Sequence, residues 1–281
     1  MTAPGPSDPP QARDEPLSGA VPDPATVPGA EPEPVEPPAE QLTGTSAPTG
    51  GWRTATVAGV RRPLARSVEL RLDVHDRIDH LPGQHYVVRL TAEDGYTAQR
   101  SYSVASAPGD PLVELFVERL DDGEVSTYLA DVVEPGDELE VRGPIGGWFV
   151  WDGSTPALLV GGGSGVVPLV AMVRHARDVG RLDLLRLAVS ARTLAELPYA
   201  EELGDAGALI VLTREAHGIR PPARLTAVDL LPLWEPGQTG YVCGSAGFAE
   251  TASQLLVGLG VPPSSVRVER FGPSALVSPE R

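Results

Sequence analysis

Three short stretches of the 281-residue chain combine residue types and spacings that could do chemistry. The densest is Leu159-Val160-Gly161-Gly162-Gly163-Ser164-Gly165-Val166-Val167-Pro168, where an apolar run enters a glycine-rich turn that opens a helix. Unhindered backbone N–H groups and the helix dipole converge at such a turn, and a dinucleotide pyrophosphate is their natural guest. The ordinary G-x-G-x-x-G spacing fails, because Val166 takes the third glycine position when counting starts at Gly161, and Pro168 takes it when counting starts at Gly163. A purely structural glycine turn is the competing reading. The second stretch, Arg100-Ser101-Tyr102-Ser103, sets a cation, an aromatic ring and a hydroxyl side by side, and strand alternation puts Arg100 and Tyr102 on one face and Ser101 and Ser103 on the other. Such a group suits a phosphate, a ring face and a ring nitrogen. The third is Cys243, either a nucleophile or a small buried apolar residue at a strand end.

The strand following the glycine turn ends in Ser190-Ala191-Arg192 and lacks the acid that would hold a ribose 2′-hydroxyl of NAD. The next ends in Leu212-Thr213-Arg214. Arginine and hydroxyl groups at those ends suit a 2′-phosphate, which a guanidinium grips as a fork, so NADPH is favoured and NADH remains possible. The alternative is that Arg192 and Arg214 are solvated loop ends.

Composition removes several classes of function. A single cysteine among 281 residues leaves no intrachain disulfide, cysteine-rich zinc site or iron–sulfur cluster. The 22 basic residues against 38 acidic ones give a net charge of −16, which repels nucleic acid and anionic lipid. His75, His80 and His85 fall five apart, a spacing that scatters them on a helix and alternates them across a strand, so no metal site is expected. The serine hydrolase pattern G-x-S-x-G fails at both Ser164 and Ser245. No stretch approaches the ~18 apolar residues of a membrane helix, and no signal peptide is legible, so a cytoplasmic protein that does not bind membranes is expected.

The elements that must position these residues follow from patterning. Residues 1–48 carry 13 prolines, no aromatic residue, eight acids and one base, the composition of a disordered tail that serves as a tether or is an uninvolved arm. Residues 49–152 read as short β-branched and aromatic runs at Thr54 to Val60, Ser67 to Val74, Tyr86 to Leu90, Ser101 to Ala105, Leu112 to Arg119 and Glu138 to Arg142, broken by turn signals such as Asp94-Gly95 and Gly143-Pro144. One short helix is expected at Ser126 to Val133. From 153 to 281 strands alternate with helices: strands at Ala157 to Val160, Leu184 to Ser190, Ala208 to Thr213, Tyr241 to Cys243 and Val266 to Glu269, and helices at Val166 to Val179, Leu194 to Leu203 and Phe248 to Leu259. The expected fold is an α+β two-domain chain, an antiparallel Greek-key β-barrel followed by an α/β parallel-sheet nucleotide-binding domain. Trp148, Phe149 and Trp151 at the junction either seal the domain interface or form an exposed docking surface.

Over residues 52–272 the sequence resembles the ferredoxin–NADP reductase-like flavoproteins. Arg100-x-Tyr102-Ser103 is similar to the family's flavin signature, Gly123-Glu124-Val125-Ser126-Thr127 to its flavin-pyrophosphate turn, Gly161-Gly162-Gly163-x-Gly165-x-x-Pro168 to its nicotinamide-nucleotide loop, and Cys243-Gly244-Ser245 to its Cys-Gly segment. The four motifs stand in the family's order. The resemblance implies that Arg100 pairs with the FAD pyrophosphate, Tyr102 packs on the isoalloxazine and Ser103 bonds near N5. It implies that the backbone of Val117, Glu118 and Arg119 lines the flavin and that Gly123, Val125, Ser126 and Thr127 hold its phosphates. Gly161, Gly162, Gly163, Ser164, Gly165, Pro168, Ser190, Arg192, Thr213, Arg214, Gly244 and Ser245 are implied for the nicotinamide nucleotide. Cys243 would sit beside the nicotinamide C4 and Glu269 close enough to influence proton supply, making Ser103, Cys243 and Glu269 the catalytic set. Plant-type members end in a tyrosine that covers the flavin, whereas here Phe271 is followed by Gly272 to Arg281. The implied activity is FAD-dependent NAD(P)H oxidation with electrons passed singly to a separate acceptor, a ferredoxin or an oxygenase or cytochrome P450 partner, by a protein expected to be monomeric. The alternatives are a reductase of a small molecule (ferric chelate, flavin or dioxygen) and a non-turnover flavin or NAD(P) sensor.

Overall fold

The computed structural model describes residues 1–2 and 51–271, and the expectations for the tail and for Gly272 to Arg281 lie outside them. Six antiparallel strands form the first sheet: β1 (Arg53–Arg61), β2 (Ser67–Val74), β3 (His85–Thr91), β4 (Thr97–Ser103), β5 (Val113–Glu118) and β6 (Glu138–Ile145), in the order β4-β3-β6-β1-β2-β5. Insertion of β6 between β3 and β1 is a Greek-key crossover. A single bridge between Val104 and Leu115 joins the two edge strands and closes the barrel. Alternation fills it: Val68, Leu70, Leu72 and Val74 of β2 meet Tyr86 and Val88 of β3 in one buried cluster. Helix α1 (Glu124–Asp131) plugs an end with Val125, Leu129 and Ala130.

The second sheet is parallel, with β7 (Ala157–Gly162), β8 (Leu185–Ala191), β9 (Leu209–Leu212), β10 (Thr239–Ser245) and β11 (Val266–Phe271) in the order β11-β10-β7-β8-β9. The apolar run of β7 is buried on both faces. Leu159 packs with Leu169 and Met172 of α2 (Val167–Asp178), whereas Leu158 and Val160 pack with Ala249, Ala252 and Leu256 of α5 (Ala246–Gly258). Helices on both faces follow from that double burial. Two further helices, α3 (Ala200–Asp205) and α4 (Ala227–Leu230), complete the set. The expected fold class is borne out.

Several boundaries are corrected. The strand expected at Ser101 to Ala105 runs from Thr97 to Ser103, because pairing with β3 extends back through Thr91 opposite Thr97. Gly143-Pro144 does not end β6, which continues to Ile145. The single helix expected at Leu194 to Leu203 is a 3-10 turn (Leu194–Glu196) and α3, separated by Leu197, Pro198 and Tyr199; a proline there cannot donate to a continuous helical ladder. The helix expected from Val166 starts as a 3-10 turn over Gly163–Val166 before α2. The short helix expected at Ser126 begins two residues earlier, at Glu124.

Candidate functional site

The barrel residues singled out by the sequence lie along β4 and the turn into α1. Arg100 is half-buried and makes no ion pair among the described residues. The Tyr102 ring packs against the barrel core, and its hydroxyl is buried with no hydrogen-bond partner. Burial pushes that phenol well above its ordinary range, so it stays a neutral donor. An orphaned donor of this kind costs stability unless a ligand satisfies it. Ser103 is buried and faces His85 across the β3–β4 ladder. Burial lowers the His85 pKa, so a neutral imidazole stands beside the serine. Beyond its bridge to Val104, β5 is laddered only to β2, so the backbone of Val117, Glu118 and Arg119 lies on a sheet edge. The Val117 side chain is in the core, Glu118 is exposed, and the Arg119 guanidinium is held by Asp131 at 2.9 Å.

At Gly123 the chain turns so tightly that a Cβ would lie 2.4 Å from Ser126 Oγ. Ser126 Oγ donates to the Gly123 carbonyl (3.1 Å) and accepts from Leu120 N–H (3.1 Å), and Thr127 Oγ1 donates to Leu120 O (3.3 Å). Both hydroxyls brace the turn. What it offers a phosphate is the N–H groups of its first helical turn, around buried Val125.

The other residues gather at the carboxyl ends of the parallel strands. The chain winds outward from β7 through β8 to β9 and then returns to the opposite side of β7 for β10 and β11. The cleft between β7 and β10 is therefore the topological switch point, where open α/β sheets bind ligands. Gly161 pairs with Cys243 across it. Gly165 approaches β10 so closely that a Cβ would lie 2.3 Å from the Cys243 carbonyl, and a Cβ on Gly162 would meet the Phe248 ring at 2.6 Å. Gly163 is different: φ is +55° and the space about it is open. Ser164 is half-buried in the 3-10 turn and Pro168 stands in the first turn of α2, which has no side-chain cap on its leading N–H groups. Gly244 adjoins Gly162 O, and Ser245 Oγ accepts from Phe248 N–H to cap α5. Ser190 is buried in register with Gly162.

Thr213 and Arg214 donate their backbone N–H groups to Ala191 O (3.0 Å) and Arg192 O (2.9 Å), so the two arginines sit on adjoining loop ends, both exposed. Acids stand near: Arg192 is 3.9 Å from Glu196, and Glu215 Oε1 accepts from Leu194 N–H at 2.6 Å. Cys243 is fully buried, and burial together with the Glu269 charge pushes its thiol pKa well up, so it is held as a thiol rather than a thiolate nucleophile. Glu269 is its direct register partner on β11, and burial pushes that carboxyl up to about 7. Phe271 packs on the apolar cluster that contains Cys243.

The two halves of the site meet. Ala105, two residues past Ser103, shares a buried cluster with Val167, two residues past Gly165. Of the junction aromatics, Phe149 and Trp151 are buried in the core of the parallel-sheet half, with Leu159, Met172 and Tyr241, while Trp148 is 62% exposed. No group of three or more metal-ligating side chains occurs among the described residues, and no helix among them is long and apolar enough to cross a membrane.

The histidine spacing, which speaks only to metal ligation, does not single out His85, the register partner of Ser103. The signal was present: Asp94-Gly95 is a hairpin turn, and counting outward from it sets His85 opposite Ser103. Flavin and nicotinamide nucleotide both fit what the structure offers, namely the unpartnered Tyr102 hydroxyl and unpaired Arg100 on one side and the open, uncapped glycine turn on the other.

Comparison with known proteins agrees with this arrangement. Residues 64–150 match the oxidoreductase FAD-binding domain family. The ferredoxin–NAD(P)(+) reductase component of the naphthalene 1,2-dioxygenase/salicylate 5-hydroxylase systems of a Ralstonia species is 29% identical over 217 residues, 74% of this chain and 65% of that protein. The chain thus spans just under two thirds of that relative. Among solved structures, the flavohem-like FAD/NAD-binding domain of a nitric oxide dioxygenase from Vibrio cholerae superposes with a TM-score of 0.70 at 24% identity, covering 79% of this chain and 99% of that one. An Amycolatopsis cytochrome P450 reductase gives a TM-score of 0.67 at 25% identity, covering 80% and 71%.

Proposed function

We propose that the chain is a ferredoxin reductase-like FAD/NAD(P)H oxidoreductase that oxidises NADPH and hands the electrons to a separate protein carrier, a ferredoxin or an oxygenase or cytochrome P450 partner. The observation that carries the reading is the meeting of the Ser103 end of β4 with the glycine turn at the β7–β10 switch point. When bound, FAD supplies the redox chemistry, accepting the nicotinamide hydride and releasing its two electrons singly.

The chain's own residues bind, orient and exclude water. Arg100 would neutralise the flavin pyrophosphate together with the first-turn N–H groups after Gly123. Tyr102 would pack on the ring system and donate its otherwise unpartnered hydroxyl, and Ser103, with His85 beside it, would bond at the ring nitrogen. Across the cleft the N–H groups of Gly163 to Val166 would take the nucleotide pyrophosphate. Cys243 supplies a small neutral surface at the strand end, and Glu269, poised near neutrality, can hold or release a proton there. Arg192 and Arg214, exposed on adjoining loops, would grip the 2′-phosphate of NADPH. The likeness to reductase components of oxygenase and cytochrome P450 systems supports a protein acceptor.

An anaerobic titration tests the reading. The purified protein should be yellow, or become so with FAD, and NADPH should bleach it faster than NADH at equal low concentration. A protein that takes up no flavin, or holds one that neither nucleotide reduces, would refute it. Reduction of ferric chelates with no electron transfer to any ferredoxin or P450 would move the acceptor to the small-molecule alternative.

A further inference from the structure

A polar cluster that the proposed chemistry does not use lies beneath the contact between the two sheets. Arg174, on the α2 helix that the glycine turn opens, reaches back to the barrel: Nη1 donates to the Ala105 carbonyl (3.0 Å) and to Glu114 Oε1 on β5 (2.8 Å). Its other edge donates to Glu202 on α3, with Nη2 to Oε2 at 2.9 Å and Nε to Oε1 at 3.1 Å. Tyr199 Oη donates to the same Glu114 oxygen at 3.0 Å, and the Tyr199 ring lies beside Phe116 and under the Arg174 guanidinium. Tyr199 takes φ +55°, a left-handed backbone that is costly for an aromatic residue and persists only where the surroundings enforce it.

We propose that Arg174 is a positioning residue: by clasping Glu114 and the Ala105 carbonyl on the barrel and Glu202 on α3, it fixes the glycine turn against the Ser103 end of β4 and so sets how the nicotinamide meets the flavin. The inference rests on the flavin-reductase reading. Two features separate this role from plain stabilisation. An ion pair this far withdrawn from water, with Arg174 and Glu114 largely covered, is often no more stable than apolar residues of the same size, so its value lies in geometry. The planar fork of arginine also fixes direction in a way that a lysine cannot. Ala105 is two residues from Ser103, and Ala105 N–H bonds to Glu114 O at 2.8 Å, so a shift of the clasp is delivered to the flavin strand.

The test uses the holoenzyme with Arg174→Met and Glu114→Gln together, which leaves Glu202 still paired with Arg177 Nη1 at 2.9 Å, and separately Arg174→Lys. In anaerobic stopped-flow with NADPH and its 4-deuterated form, the double variant should reduce flavin about 10- to 100-fold more slowly at saturation, with half-saturation changed less than about twofold and a larger isotope effect. Arg174→Lys should fall between it and the wild type. A second readout needs no nucleotide: spin labels at Asp73→Cys on the barrel and Thr251→Cys on α5, with buried Cys243 unlabelled, should give a broader distance distribution in the double variant. Either an unchanged reduction rate and isotope effect or an unchanged distance distribution would overturn the proposal. A wild-type protein that binds no FAD, or is reduced by neither nucleotide, would sink the flavin reading instead, and the label distances would still decide whether Arg174 couples the two sheets.

Discussion

On the barrel, what faces the proposed flavin is side chain: a guanidinium, a phenol and a hydroxyl at alternate and adjacent positions of one strand, with an imidazole on its neighbour. At the ends of the parallel strands it is backbone, and at Gly162 and Gly165 a side chain is missing because other atoms already crowd its place. The Cys243 carbonyl stands where a Gly165 Cβ would be, and the Phe248 ring stands where a Gly162 Cβ would be. In the proposed function, one half of the site would recognise by what its residues carry, the other by what they lack. A strand can hold functional side chains because its ladder is satisfied by backbone alone. A phosphate-binding turn needs its N–H groups uncovered and its backbone close to a second strand.

The largest expected effect breaks the backbone half. Gly165→Ala places a Cβ against the backbone of Cys243 and Gly244, which cannot move without parting β7 from β10, and should destabilise the protein by about 3 kcal/mol or more. Gly163→Ala meets no atoms and costs only the left-handed φ, about 1 kcal/mol. Urea unfolding of the two variants measures the difference, and equal losses would show that turn conformation, not close approach, governs the loop.

A smaller effect, of opposite sign in two states, sharpens the side-chain half. Tyr102→Phe removes a buried hydroxyl that no protein group satisfies, so the apoprotein should gain about 1 kcal/mol of stability while FAD affinity falls by roughly tenfold. Thermal unfolding without flavin and FAD titration together check it, and a destabilised apoprotein would mean that the hydroxyl already has a partner.

The last expected effect depends on pH and concerns Glu269, the register partner of Cys243 on β11. Glu269 is raised from 4.5 to about 7 by burial, so between those values the folded protein holds a proton that the unfolded chain has lost. Stability should therefore fall as pH rises through that window, and Glu269→Gln should flatten the decline. Urea midpoints at about pH 5 and about pH 8 decide it, and parallel slopes in the two proteins would place the carboxylate in water.

Much of this was legible in the chain. Alternating short runs with Asp-Gly and Pro-Gly punctuation mark the barrel, and the apolar run of β7 before the glycines marks a strand buried on both faces. The motif residues come together where the order of elements suggests. What misled was local chemistry read without its partners. The short helix expected to start at Ser126 begins at Glu124, because Ser126 Oγ and Thr127 Oγ1 bond back to Gly123 and Leu120. The stretch Leu194 to Leu203 looks like one helix, yet Pro198 and the left-handed Tyr199 divide it. Trp148, Phe149 and Trp151 are alike in type but not in burial, because successive positions leaving a strand face different neighbours.

Composition and periodicity were enough to determine the order of sheets and the places where backbone is left bare, since each depends on residues close in sequence. Tertiary structure alone decided which polar groups remain unspent. The orphaned Tyr102 hydroxyl, the neutral Cys243 thiol beside Glu269 and the Arg174 clasp arise from atoms far apart in the chain. Their hydrogen bonds and desolvation are fixed only when elements distant in the chain have packed, within each sheet for Tyr102 and Cys243 and between the sheets for Arg174.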